Sequence, residues 1–338
     1  GNKLIIGGST NGDIYVDGIT QTTSTFSNGV ELNVDAHLSG SKGAIIFEGS
    51  ASSFSTLDAS AVDGVEVNAN LTTTTGALTL DGDSDNAVDT LSGNDYIIFA
   101  SGITLTSAGN ISLSATNGGM TAAGALTLSA TSGLTMTGAM TGAGAVALTA
   151  NSGITLNSSV STSSGSLNIN ANSSALSLGS VTLSSAGALT LSSSSISSSG
   201  NLALTSTGST ISVGSAVTSS GSVAMTASSG LTLSNSTLTG SGSVSLEGGS
   251  ALTLASGTTI TSSAGSITLG ASTGSITANG ALTLSSNGSI TVSNTMTTAG
   301  AATFNANSGI TLATNVTTNG ATVMDADLDN NGSGDFTI

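Results

Sequence analysis

Two short runs in this 338-residue chain set carboxylates on alternate residues. One holds Asp81, Asp83 and Asp85, with Asp89 just beyond; the other holds Asp325, Asp327 and Asp329, with Asp335 further on. They lie in one frame, GALTLDGDSDN at 76–86 and GATVMDADLDN at 320–330, and the preceding residues also correspond, GVEVNANLTTTTG with GITLATNVTTNG. Asp at i, i+2 and i+4 around a corner gathers hard anionic oxygens, the ligands that Ca²⁺ takes. The same spacing also serves a plain acidic turn, hydrated and kept soluble by its own charge. Against the metal, Asn86 and Asn330 stand where a twelve-residue calcium loop has Gly, and no Glu closes the loop. Both readings stay open at this stage.

Little else offers chemistry. His37 has no second His and no Cys to share a metal, and reads as a solvent-facing residue. The chain has no cysteine, which excludes disulfides and thiolate metal sites. Serine is abundant, but none has a base suggested beside it. Paired carboxylates can cleave glycosides, yet a site for acidic sugars needs Arg or Lys and stacking aromatics. This chain has two basic residues, Lys3 and Lys42, and 2% aromatics. No enzymatic activity is expected.

The elements that must position these turns are short strands in a repeat of about twenty residues. It is plainest in GAATFNANSGITLATNVTTNG (300–320), GAVALTANSGITLNSSVSTSSG (144–165) and GSVAMTASSGLTLSNSTLTG (221–240). Each copy holds three alternating runs; Val146/Leu148, Ile154/Leu156 and Val160 are the apolar members of one. Alternation places them on one face, with Thr, Ser or Ala on the other. One unit cannot bury its own apolar face, so units must stack. The runs are too short for a sandwich, and the absence of proline leaves every strand N–H able to pair. Frequent Gly and Thr with no 3.6-residue period exclude helix. The expected fold is all-β, a single-stranded parallel β-solenoid (β-helix) with triangular turns of about 20 residues. Unit starts G-x-φ-x-φ are mostly 20 to 23 residues apart; three intervals of 13 to 15 are expected to shorten one side of a turn. Thr104, Thr135, Thr155, Thr232, Thr253, Thr291 and Thr311 are expected to share one outward face.

Composition divides the chain at 95/96. Residues 1–95 are the acidic, less regular segment, with thirteen of the eighteen carboxylates and bulkier interior candidates in Tyr15, Phe26, Phe47 and Phe54. Residues 96–338 are the regular Gly/Ser/Thr-rich array, ending in the second acidic turn. The net charge is −16, and with no arginine there is nothing to neutralise phosphates, so nucleic acid is excluded as a partner. No apolar run reaches the eighteen or so residues that insert into a membrane. The absence of an initial Met points to a processed or excised segment. A positive mean hydropathy of +0.34, with apolar residues in period two, opposes disorder.

The G-x-L-T-L … S-G-I-T-L … V-T-T-x-G units resemble the repeats of large secreted β-solenoid proteins, of the filamentous-haemagglutinin-like adhesin and bacterial surface repeat type. The likeness covers roughly 64–338. It implies an extracellular or cell-surface protein that is extended, non-enzymatic and engaged in adhesion or matrix building. Two functions are weighed. One is a segment or subunit of a structural filament that joins its own kind head to tail; the other is an adhesin stalk that binds a glycan or another surface.

Overall fold

The computed structural model describes residues 2–20, 26–35, 43–87 and 95–338. His37 and Asp89 lie outside them. Among the described residues there is no helix long and apolar enough to cross a membrane; the regular elements are short β-strands. The chain divides into two compact units, Gly1–Ala175 and Leu176–Ile338.

In the first unit, strands of successive turns stack in three parallel columns. The first column runs from Leu4–Gly8 through Val30–Val34, Leu57–Ala61, Leu78–Asp81, Ile111–Ser114 and Leu134–Thr137 to Ile154–Leu156. The second runs from Ile14–Asp17 through Ile45–Glu48, Val65–Val67, Tyr96–Phe99, Gly119–Ala122 and Met140–Gly142 to Val160–Thr162. The third runs from Ser52–Phe54 through Leu71–Thr73, Ile103–Ser107 and Leu126–Ala130 to Val146–Ala150 and Leu167–Asn170. Each turn of the chain is a rung that contributes one strand to each column in that order; among the described residues the first rung has strands in the first two columns only. The second unit repeats the scheme, with columns that include Ser195–Ser198 to Thr322–Asp325, Val181–Ser185 to Phe336–Thr337, and Leu189–Ser192 to Val316–Thr318. This is the parallel three-sided β-solenoid expected from the repeat.

Register explains the core. Leu4, Val30, Leu57, Leu78, Ile111, Leu134 and Ile154 lie one above another. In the second column Ile14, Ile45, Val65, Ile97, Met120, Met140 and Val160 do the same. Burying each such side chain contributes about 1.5–3 kcal/mol, and each is covered only because its neighbours on adjacent rungs are there. Phe47, Phe54 and Phe99 give the first unit a bulkier interior. Tyr15 does not belong to it: its ring is 61% exposed at the edge of the unit. Rungs vary in length because corners do; 33 residues separate Leu78 from Ile111, against 20 from Leu134 to Ile154.

The short glycine intervals are not shortened sides. Gly109 closes the corner from third column to first, whereas Gly124 and Gly144 close the corner from second to third. The interval from Gly109 to Gly124 therefore holds two strands, and the motif slips by one side of the triangle. Within the second unit the same slip occurs between Gly187 and Gly200 and between Gly265 and Gly280. The threonine expectation fails for this reason. Those threonines do point outward, but Thr104 lies in the third column while Thr135 and Thr155 lie in the first.

Corners are tight because rungs touch there. A Cβ on Gly144 would stand 2.7 Å from Ala125 N, and one on Gly320 would stand 2.6 Å from Ala301 N. A hydroxyl recurs just before the corner, pointing inward. Ser206, Ser219, Ser262 and Ser286 are each 1% exposed. They donate to the carbonyls of Gly187, Gly200, Gly242 and Gly265 on the preceding rung at 2.7–2.8 Å. The bond offsets the cost of burying the hydroxyl.

Leu148→Ala should cost about 2–5 kcal/mol in denaturant unfolding. Gly144→Ala should cost about 1–3 kcal/mol, because its Cβ meets backbone that cannot step aside. Thr149→Ala, which points outward, should stay within about 0.5 kcal/mol. Equal effects at 148 and 149 would contradict the register.

Candidate functional site

The two acidic runs form one type of turn. The first leaves strand Leu78–Asp81 and leads to Tyr96–Phe99; the second leaves Thr322–Asp325 and leads to Phe336–Thr337. Asp81 Oδ1 accepts the Asp83 backbone N–H at 3.1 Å, and Asp325 Oδ1 accepts the Asp327 N–H at 3.2 Å. The Asn86 N–H donates to the Asp83 carbonyl at 3.1 Å, and the Asn330 N–H to the Asp327 carbonyl at 2.9 Å. Both asparagines are left-handed, with φ of 52° and 56°. Asparagine tolerates that region, so it takes the place where a glycine was anticipated. Each turn is anchored alike on the rung before it, Ser84 N–H to the Ala61 carbonyl and Leu328 N–H to the Ala306 carbonyl, at 3.1 and 3.0 Å.

The surroundings differ. Asp83 is 0% exposed, because the next rung lies over it. Asn117 donates its backbone N–H at 2.8 Å and its Nδ2 at 3.1 Å to Asp83 Oδ2. Asp83 Oδ1 is buried with no hydrogen-bond partner. Asp327 stays half-buried and turns to its own loop: Oδ1 accepts the Asn331 N–H at 3.1 Å and Oδ2 accepts the Gly332 N–H at 2.9 Å. Asp329 Oδ2 accepts Asn331 Nδ2 at 2.8 Å. Asp85 is exposed, and its Oδ1 accepts the Ala87 N–H at 3.1 Å. Asp335 enters the ladder through its backbone, its carbonyl accepting the Ile310 N–H at 2.9 Å.

These carboxylates act as acceptors that shape turns. The structure brings Asp81 to the Asp83 amide, Asp325 to the Asp327 amide, and Asp327 and Asp329 to one shared amide, that of Asn331. Among the described residues, no three Asp, Glu, His or Cys side chains gather into a group that could hold a metal ion. A Ca²⁺ ion would compete with amide donors at most of these oxygens. Asn117 was not visible as a site residue from sequence, since its partner lies 34 positions away.

Burial pushes the Asp81 carboxyl above its ordinary value; the Asp83 N–H it accepts works the other way, and the Asp83 and Asp58 carboxylates add to the rise. The folded chain therefore keeps a proton there at pH values where the unfolded chain has lost it.

No family model, no curated protein and no solved structure matches this chain.

Stability carried by Asp81 is full below the ordinary aspartate range, falls as pH rises through the raised folded value, and levels off above it. Asp81→Asn removes that component, so the gain in Tm on acidification from pH 7 toward about 4 should be smaller in the variant than in the parent. Identical pH profiles would contradict the burial of Asp81. If the turns are held by their own amides, millimolar CaCl₂ should move Tm no more than NaCl of equal ionic strength. A calcium-specific rise lost in Asp83→Asn would overturn that and establish a metal site.

Proposed function

We propose that this chain is a structural segment of an extracellular filament or surface matrix, built in the manner of the filamentous-haemagglutinin-like secreted repeat proteins and without catalytic activity. The observation that supports it most is the parallel in-register stacking, in which the edge of each rung is a template for the next. Such a contact joins unlike ends, so it does not close on itself and propagates. Composition favours the same reading: with two lysines and no arginine, an exposed extracellular material offers trypsin-like proteases almost no cleavage site.

A binding role has one observation in its favour. Tyr15 is 61% exposed and Ile19 44% exposed at the N-terminal edge, an amphipathic ring beside an aliphatic side chain. Phe26 is half-buried and suits such a surface less.

Electron microscopy of the purified chain separates the two. The structural reading predicts long thin fibres; a population that remains single short particles at all concentrations contradicts it. An adhesin stalk predicts attachment to glycan-coated or cell surfaces that drops by about tenfold in Tyr15→Ala, the scale of one aromatic hot spot.

A further inference from the structure

Seven asparagines in this chain are followed by glycine, at positions 11, 28, 117, 279, 287, 319 and 331. In such a pair the glycine main-chain nitrogen can attack the asparagine Cγ, because no Cβ stands in its way. The attack needs a glycine N–H released from other bonds, a carboxamide able to turn, and water at hand. The fold grants these conditions unequally.

Four of the pairs are held at the glycine. The N–H groups of Gly29, Gly118 and Gly288 donate to the carbonyls of Phe26, Asp95 and Gly265, and that of Gly332 to Asp327 Oδ2, each at 2.9 Å. Three of these are held at the asparagine as well. Asn117 Nδ2 donates to Asp83 Oδ2, Asn287 Nδ2 to the Ser263 carbonyl and Asn331 Nδ2 to Asp329 Oδ2. Asn11 is half-buried, and its Nδ2 donates to the Gly12 carbonyl at 2.9 Å.

Asn279 differs from all of these. It lies at the corner between the third-column strand Ser275–Ala278 and the first-column strand Leu282–Ser286, with rungs on both sides of it. Its N–H is fixed to the Leu254 carbonyl at 2.9 Å, while its side chain is exposed. Among the described residues, no hydrogen bond is made by its carboxamide or by the Gly280 N–H. Asn319 and Gly320 repeat this corner two rungs further on.

We infer that Asn279 is a site of spontaneous deamidation in the folded protein. The Gly280 nitrogen gives up its proton and bonds to Asn279 Cγ; the Cγ–Nδ2 bond breaks, and the amide nitrogen leaves as ammonia with that proton. Water then opens the cyclic imide at one or other of its carbonyls. One product is aspartyl. The other is isoaspartyl, in which the main chain runs through the former side chain and gains a methylene. The reaction needs no enzyme, metal or partner, so it proceeds whether or not the chain assembles.

The corner makes the isoaspartyl product consequential. A Cβ on Gly280 would stand 2.8 Å from Ser256 Cβ on one side, and a Cβ on Gly300 would stand 2.9 Å from the Gly280 carbonyl carbon on the other. With rungs pressed against it from both sides, the corner takes an added main-chain atom only by displacing the strands it joins. An added charge at this exposed position requires no such shift.

Peptide mapping of the full-length chain, kept folded in warm, mildly alkaline buffer, tests the assignment. Asn287 is the internal control, since it is also exposed and flanks the same strand, Leu282–Ser286. Asn279 should convert faster by about tenfold or more, because position 287 must first release the bonds held by Gly288 and by its own Nδ2. In urea, with the fold lost, the two should convert at similar rates. Equal rates in the folded chain, or the same ratio in urea as in buffer, would overturn the assignment. The isoaspartyl chain, once separated, should exchange the amides of Ser275–Ala278 and Leu282–Ser286 faster than Asn279→Asp, which adds the charge without the methylene. No difference between the two would remove the claim made for the corner.

Discussion

The interaction on which everything else depends is the hydrogen bond from one rung to the next. A strand of three to five residues has no stability of its own, and its apolar face is only two side chains wide. Once the rung before it is in place, each strand finds a ladder of carbonyls and amides and a set of apolar side chains in register. The rung built on it then inherits the same surface. Proline is absent because every strand position is used as a donor or faces one that is. Lys and Arg are nearly absent because outward positions stack on their own kind, where like charges directly above one another would repel.

The corners are the price of that stacking, and they account for much of the small polar composition. The chain must turn within about three residues at rung spacing, so Gly144 and Gly320 leave no room for a Cβ against the rung beneath. The carbonyls at such corners fall outside the ladders. Inward serines collect them: Ser206 bonds to the Gly187 carbonyl across one rung, and Ser286 repeats the arrangement with Gly265. The acidic turns at longer corners meet the complementary need: their Asp side chains accept corner N–H groups, and left-handed Asn86 and Asn330 reverse the chain.

The alternation of Val146, Leu148, Ile154 and Leu156 was enough to read strands, stacking and parallel pairing, because period two and a twenty-residue repeat admit few other folds. The correspondence of 76–86 with 320–330 was likewise a true guide to backbone conformation. What sequence did not reveal depended on residues a whole rung away. A 15-residue interval between Gly109 and Gly124 fits a shortened side as well as a two-strand interval that slips the motif by one side, and only pairing distinguishes them. Ser206 looks like its many exposed neighbours until its partner, 19 residues earlier, is known. Asp83 looks as hydrated as Asp85 until Asn117 lies over it. Tyr15 was placed inside by its size, yet it occupies an outward position on an edge strand.

If rung-to-rung bonding holds the fold, protection of backbone amides should follow position in the stack rather than hydrophobicity or strand length. Hydrogen exchange followed by mass spectrometry measures this directly. The account predicts that inner strands such as Leu126–Ala130 and Val244–Gly248 exchange slowest. Protection should fall toward Leu4–Gly8 at one edge and Thr322–Asp325 at the other, and the acidic turns should exchange faster than the strands that flank them. Uniform protection along the chain, or slower exchange at the edges than in the inner rungs, would contradict it.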